Sequence, residues 1–147
     1  MGYKLNFELV PDGCWYSNLR SILSKKQWDF LREYAKEQSG GKCSICGKKG
    51  ARLHAHERWS YDEKNCVQKL EDIIAVCPDC HAVIHIGRTQ LLGNEERAEK
   101  HFMKVNGCSY VEYRNALGEA NEAHKRRNKI SEWKLDLSYL RRFISND

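Results

Sequence analysis

Two short cysteine pairs are the residues whose spacing points most directly to chemistry. Cys43-Ser-Ile-Cys46 and Cys77-Pro-Asp-Cys80 each place two residues between two thiols. This spacing lets both sulfurs of a pair reach one ion at about 2.3 Å with tetrahedral angles. The alternative is a pair of disulfides, but the chain has seven cysteines, so any disulfide scheme leaves a thiol over. The pairs predict one structural zinc ion, whose four thiolates leave no position for a reacting water.

Four of the six histidines lie between the cysteine pairs or just after them. His54 and His56 are two residues apart on a predicted strand, so their side chains share one face. His81 and His85 are four residues apart on a predicted helix, so they also share a face. Each histidine taken singly is more simply explained as a surface, capping or packed residue. Two such pairs beside one zinc site predict a second metal site.

The remaining patterns predict an α+β protein. Strands are expected over 51–62 and 66–76, with a break near 71–72, and a short helix over 80–86 that Gly87 ends. Longer helices are expected over 25–38, 94–105 and 109–129, because capping residues precede apolar residues at helical spacing. Residues 4–9 and 133–137 alternate apolar and polar side chains, which predicts that the two termini form a strand pair.

Length and composition bound the class of protein. With 147 residues, the chain is expected to form a single domain, with an N-terminal part (1–41), a zinc core (42–88) and a C-terminal part (89–147). A hydrophobic fraction of 41% argues against disorder, and no apolar stretch is long enough for a membrane helix. No secretory signal opens the chain, so we expect a cytoplasmic protein without a membrane partner. Nothing predicts an oligomeric state.

The segment that carries both clusters resembles the HNH (ββα-metal) endonucleases. After Cys43-x-x-Cys46 it supplies Leu53-His54-Ala55-His56-Glu57, and then Cys77-Pro-Asp-Cys-His81 followed by His85-Ile-Gly. It is most similar to a bacterial and phage-type subgroup, which also has the Trp59, Tyr61, Asp62, Gln68 and Leu70 of this chain. The resemblance implies a fold of two antiparallel strands and a helix around a catalytic divalent ion, and a bacterial or phage-infected cell.

The resemblance also implies roles for individual residues. His56 takes the place of the general base, and His81 and His85 take the places of ligands to Mg²⁺ or another divalent ion. The position before the base, often a metal ligand, is Ala55 here, and His54 or Glu57 could replace it only in a different strand register. The asparagine that usually orients the base is replaced by Asp72, and Gln68 is a second candidate for orienting it.

Basic residues indicate where a polyanion could bind. Lysine and arginine number 25 against 20 acidic residues, a net charge of +5. The candidates for phosphate contacts fall into two clusters, the first near the first cysteine pair and the second near the end of the last helix: Lys48, Lys49, Arg52 and Arg58, then Arg126 and Arg127. Solvated loops and helix ends explain each cluster equally well.

The leading expectation is therefore a metal-dependent HNH endonuclease that hydrolyses DNA. The first rival is a catalytically degenerate module of the same fold that binds nucleic acid or a protein partner, as an adaptor or an inhibitor. The second rival is a purely structural zinc protein with buried histidines.

Overall fold

A three-stranded sheet and six α-helices make up the α+β fold of the computed structural model, which describes residues 2–143. The strands are β1 (His54–Asp62), β2 (Val67–Val76) and β3 (Lys134–Asp136). The helices are α1 (Leu19–Ile22), α2 (Lys25–Gln38), α3 (Pro78–Ile84), α4 (Ile86–Leu91), α5 (Glu95–Asn106) and α6 (Tyr110–Asn128). Short 3-10 turns cover Asp12–Cys14 and Ser138–Phe143. Within residues 2–143, every helix is too short or too polar to cross a bilayer.

The β1–β2 hairpin is the centre of the sheet. β1 runs antiparallel to β2, and their register changes between Arg58 and Trp59. The apolar pattern of β2 is interrupted near residues 71–72, at the same level of the hairpin as this register change. The two strand segments predicted on either side of the interruption therefore form one continuous strand. β2 supplies Leu70 and Ile73 to one hydrophobic core and Val76 to another, so the hairpin joins the two cores.

The predicted pairing of the two termini is wrong. β3 pairs in parallel with β2, where Val67 lies opposite Lys134, and residues 4–9 form no strand. The side chain of Asn106 accepts a hydrogen bond from the Leu5 N–H at 3.0 Å and donates one to the Leu5 carbonyl at 2.9 Å. The side chain of Asn106 thus forms the two backbone hydrogen bonds that a neighbouring strand would otherwise provide. The alternating pattern reflects the burial of Leu5 among helices.

Local capping explains the helices that were predicted well. α2 begins after a capping box between Ser24 and Gln27, and α6 begins after one between Ser109 and Glu112. The helix expected over 80–86 instead begins at Pro78 and ends before His85. Gly87 lies inside the next helix and does not end one, which corrects the expectation from sequence.

Two packed clusters hold the hairpin in place. In the first, α3, α5 and α6 pack with the N-terminal segment, and the ring of Phe7 stacks on Phe102 with centroids 4.9 Å apart. In the second, Trp28 and Leu31 of α2 pack against Leu70 of β2. α3 and β1 are therefore held against one another, which fixes the residues of the candidate sites.

Two candidate metal centres

The four cysteines of the two C-x-x-C pairs converge on one point. One sulfur from each of Cys43, Cys46, Cys77 and Cys80 lies within 4.8 Å of the others, and the Cys46 and Cys77 sulfurs are 3.7 Å apart. A tetrahedron with zinc–sulfur bonds of about 2.3 Å has edges of about 3.8 Å. The thiol cluster, as we name these four residues, therefore has the dimensions of a zinc site.

We call the two C-x-x-C segments the first hook (Cys43 to Cys46) and the second hook (Cys77 to Cys80). In each hook, a backbone N–H group points to a sulfur and would stabilise its thiolate form. The Cys46 N–H points to the Cys43 sulfur at 3.5 Å, and the Cys80 N–H points to the Cys77 sulfur at 3.4 Å. Gly47 follows the first hook with φ +77, a conformation that favours glycine. Pro78 occupies the first turn of α3, where its missing N–H costs no helical hydrogen bond.

The proton equilibria of these thiols are set by burial and by one another. Burial raises the pKa of Cys77 and of Cys80, and the adjacent thiols raise the pKa of Cys80 further. Burial also opposes ionisation of Cys43, but backbone N–H donors from Cys46, Cys77 and Ile45 outweigh it and lower the Cys43 pKa to about 7. Four thiolates this close repel each other, so a bound cation is what would stabilise them together.

An outer partner of the thiol cluster, which no sequence motif indicates, lies on α5. Nε2 of His101, on α5, lies 3.2 Å from the sulfur of Cys80. Hydrogen bonds of this kind orient metal ligands from outside the coordination sphere. No motif links these two residues, because the contact arises from the packing of α5 on α3.

Three histidines form a second cluster. His56 from β1, His81 from α3 and His85 just after α3 each offer a ring nitrogen, and these nitrogens lie within 4.8 Å of one another. The ring centroids of His81 and His85 are 4.7 Å apart, and that of His56 lies 5.7 Å and 5.4 Å from them. We call these three residues the histidine cluster. One member of the first pair, His56, and both members of the second pair meet in this cluster, whereas His54 is not part of it.

Burial keeps two of these imidazoles neutral. Burial, together with the neighbouring histidines and Arg88, lowers the pKa of His81 to about 3 and that of His85 to about 4, although Glu8 opposes the change at His85. A neutral imidazole has a free lone pair, which is the form that binds a metal ion. His81 and His85 can therefore bind a divalent transition ion without first losing a proton at neutral pH.

Two polar neighbours orient the histidine cluster. The carboxylate of Glu8 hydrogen-bonds Nε2 of His56, which is only 5% exposed. Nδ1 of His54 lies 2.9 Å from Nδ1 of His81. His54 thus contacts a member of the cluster from outside it. Glu8 was missed, because its segment carries no motif that distinguishes it from other strand-like residues.

The residues expected to orient His56 lie elsewhere or bind other groups. Asp72 faces Arg58 across the hairpin, and its carboxylate accepts a hydrogen bond from Arg58 Nε at 2.5 Å. Gln68 is buried beside the cluster, but its amide donates to the Ser17 carbonyl at 3.2 Å. The structure therefore does not bring Asp72 to His56, and Glu8 occupies the orienting position.

The histidine cluster lines a cavity of about 660 Å³. Glu57 also lines it and accepts a hydrogen bond from the Leu19 N–H at the start of α1. Burial raises the pKa of Glu57, although that hydrogen bond opposes the change. Trp15, Arg20 and Arg88 contribute to the same walls. The histidine cluster is therefore open to a molecule in this cavity.

The basic residues predicted to contact phosphate do not line this cavity. Arg126 and Arg127 both pair with Glu63, and Arg58 pairs with Asp72. Lys49 and Arg52 are exposed just after the first hook, where the exposed Lys48 lines a separate cavity. Arg88 was overlooked, although it follows His85 by only three residues.

Comparison with known proteins identifies no relative: no family model, no curated protein and no solved structure matches this chain. The geometry of the two clusters and the cavity beside the histidine cluster are therefore the features that indicate a function.

Proposed function

We propose that this protein is a metal-dependent endonuclease of the HNH type that hydrolyses phosphodiester bonds in DNA. The observation that carries the proposal is the histidine cluster, in which one strand and one helix bring three ring nitrogens within 4.8 Å of one another at a cavity wall. A hairpin followed by a helix is also the arrangement that the resemblance to HNH endonucleases implies.

The three imidazoles are well suited to a catalytic ion. Three protein ligands leave coordination positions open for water and substrate, whereas four thiolates do not. When bound, a divalent ion supplies Lewis-acid stabilisation of the charge that develops on the phosphate oxygens. In this proposal His56, His81 and His85 bind that ion, while the thiol cluster binds a structural zinc.

Residues outside the cluster assist by orientation and charge. Glu8 holds the ring of His56, and His54 holds that of His81. Carboxylate and imidazole partners of this kind fix the tautomer and the orientation of a metal-binding histidine. Arg88 and Arg20 line the cavity and would attract a phosphate there.

The role of His56 departs from what the resemblance implies. The resemblance makes it the general base, but its short distances to His81 and His85 favour a metal ligand. A His56→Gln variant separates the two roles. A ligand role predicts loss of the second metal, whereas a base role predicts that metal binding persists while cleavage is lost.

The direct test is cleavage of supercoiled plasmid and of circular single-stranded DNA with Mg²⁺, Mn²⁺ or Ni²⁺. We expect metal-dependent cleavage by the wild-type protein and none by His81→Ala. The matched control is His124→Ala on α6, because His124 contacts the Val10 carbonyl and lies outside the cluster. Absence of cleavage with every metal, or equal cleavage by His81→Ala, would refute the proposal.

A second candidate function is a non-catalytic module of the same type that binds DNA or a protein partner. Two observations favour it. Ala55 offers no ligand beside His56, and Arg58 neutralises Asp72. DNA binding without cleavage by a zinc-loaded, metal-supplemented protein would select this candidate.

A further inference from the structure

The cavity beside the histidine cluster is larger and more aromatic than metal binding requires. Its volume of about 660 Å³ lies in the range of about 300–1,000 Å³ that is typical of pockets for small organic ligands. Three tryptophans and one tyrosine line it: Trp15, Trp28, Trp59 and Tyr61. Contact with the phosphate backbone of a duplex would need only basic and polar groups at the surface. The aromatic walls therefore require a separate explanation.

Trp15 differs from the other aromatic residues of the cavity. Its side chain is 60% exposed, whereas Trp28 is 8% exposed and Tyr61 packs against Trp133 with centroids 5.5 Å apart. Its Nε1 donates to the Val10 carbonyl at 3.3 Å, which anchors the edge of the indole. Within residues 2–143, Trp15 takes part in no aromatic pair. An anchored ring is thus left with an uncovered face.

Two cations at the cavity are also without partners. Arg20 and Arg88 are exposed, and neither forms an ion pair within the part of the chain that the structure describes. By contrast, Arg58, Arg97 and Arg126 each pair with a carboxylate. The guanidinium of Arg20 lies 5.6 Å from the ring centroid of Trp28, which holds it near the cavity. Unneutralised guanidinium groups favour phosphate.

We propose that this cavity binds an unpaired nucleotide, with its base stacked on Trp15 and its phosphates held by Arg20 and Arg88. The inference rests on the proposed nuclease function and makes single-stranded DNA, rather than intact duplex, the substrate. Bases in a duplex are stacked and paired, so they cannot enter a side cavity without first being extruded, which costs free energy. An exposed aromatic face with nearby cations is the usual platform for single strands.

Binding measured without divalent ions tests the inference separately from catalysis. A fluorescein-labelled single-stranded oligonucleotide and its duplex are titrated with zinc-loaded protein and followed by anisotropy. Tyr16→Ala is the matched control, since Tyr16 is adjacent and 86% exposed but does not line the cavity. We expect Trp15→Ala to weaken single-strand binding about 5- to 150-fold, the effect of losing one base stack. Tyr16→Ala should bind nearly as wild type, whereas Trp15→Phe, which keeps an aromatic face but loses the hydrogen bond to the Val10 carbonyl, should bind with an affinity between those of the wild type and Trp15→Ala.

Two results would overturn the inference: equal single-strand affinity of Trp15→Ala and Tyr16→Ala, or duplex binding as tight as single-strand binding. Circular dichroism and zinc content establish that each variant is folded.

A cleavage assay on both oligonucleotides then separates this inference from the proposed function. Equal cutting of duplex and single strand, unaffected by Trp15→Ala, would refute the inference and leave the nuclease intact. Single-strand binding that depends on Trp15, without any cleavage, would support the inference and refute the nuclease.

Discussion

The thiol cluster and the histidine cluster share one helix but differ in the type and number of the ligand atoms that they offer to a metal ion. Cys77 and Cys80, at the start of α3, face the first hook. His81, the next residue, faces β1 and the cavity. The thiol cluster offers four donors, three of them from buried cysteines, whereas the histidine cluster offers three donors beside an opening of about 660 Å³.

This difference implies that the thiol cluster contributes to stability, whereas the histidine cluster is suited to chemistry. A closed tetrahedral set contributes its binding free energy to folding, because the unfolded chain has no preformed site. An open set leaves coordination positions for substrate. Because α3 carries residues of both clusters, a zinc ion that fixes the start of α3 also fixes the position of His81. The structural metal would thus preorganise the second site, and variants of each cluster should have different consequences.

The largest expected effect is that of Cys80→Ser. Binding free energies of structural zinc are about 10–16 kcal/mol in small zinc-dependent folds, comparable with the whole stability of a domain. We expect this variant to lose zinc and to be largely unfolded, as measured by metal analysis and circular dichroism. Cys108→Ser is the control, because Cys108 is half-buried and outside the cluster. A folded Cys80→Ser protein without zinc would show that folding does not depend on zinc binding by the thiol cluster.

The next largest effect is expected of His85→Ala, which should strongly reduce metal-dependent cleavage without unfolding the protein. Loss of a ligand should reduce metal-dependent cleavage by more than about 100-fold, since outer partners alone account for about 10- to 100-fold. Zinc content and the circular dichroism spectrum should match those of the wild type. Loss of zinc from this variant would contradict the separation of the two clusters.

Glu8→Gln should have an intermediate effect on the second metal. It removes the charge that orients His56 but keeps the shape of the side chain. We expect affinity for Mn²⁺ or Ni²⁺ to fall about 10- to 100-fold, measured by calorimetry. Glu96→Gln, an exposed substitution on α5, provides the comparison. If both variants bind alike, Glu8 has no orienting role.

The histidine cluster should also make stability depend on pH. Folding lowers the pKa of His81 to about 3 and of His85 to about 4, from about 6.5 in the unfolded chain. The unfolded state therefore binds more protons between about pH 6.5 and pH 4. The contribution of these groups is complete above about pH 6.5 and is lost as pH falls toward 4.

Urea midpoints at pH 7 and pH 5 measure this loss. The double variant His81→Gln/His85→Gln should show a smaller decrease between the two pH values than the wild type. Acid release of zinc affects both proteins, so the difference between them isolates the two histidines. Identical decreases would contradict the lowered pKa values.

The smallest expected effect lies outside both clusters. Ser109→Ala removes the side-chain oxygen that caps α6 by accepting from the Glu112 N–H at 3.1 Å. The free energy of unfolding should fall by about 1 kcal/mol in a denaturant titration. Binding of both metals should be unchanged. Altered metal affinity would mean that the sites are coupled to α6.

Local patterns predicted much of this structure because short-range chemistry determines those parts. Capping residues located α2 and α6, two-residue spacing located the thiol cluster, and the two histidine pairs indicated a shared site. These features depend on residues close in the chain or on periodicity that points side chains to one face.

The remaining features depend on long-range packing. Asn106 replaces a strand beside Leu5, and Glu8 reaches His56 from a segment with no recognisable motif. Asp72 was assigned an orienting role from its place in a pattern, but the register of the hairpin sets it opposite Arg58. A sequence pattern cannot reveal such partners, because they are chosen by the tertiary structure.

The most direct test of the two-cluster account is a calorimetric titration of the zinc-loaded protein with Ni²⁺, together with the double variant His81→Ala/His85→Ala. We predict that the wild-type protein binds a single further ion per chain while it keeps its zinc, and that the double variant keeps zinc but binds no Ni²⁺. Absence of a second ion in the wild type, or equal Ni²⁺ binding by both proteins, would contradict the account.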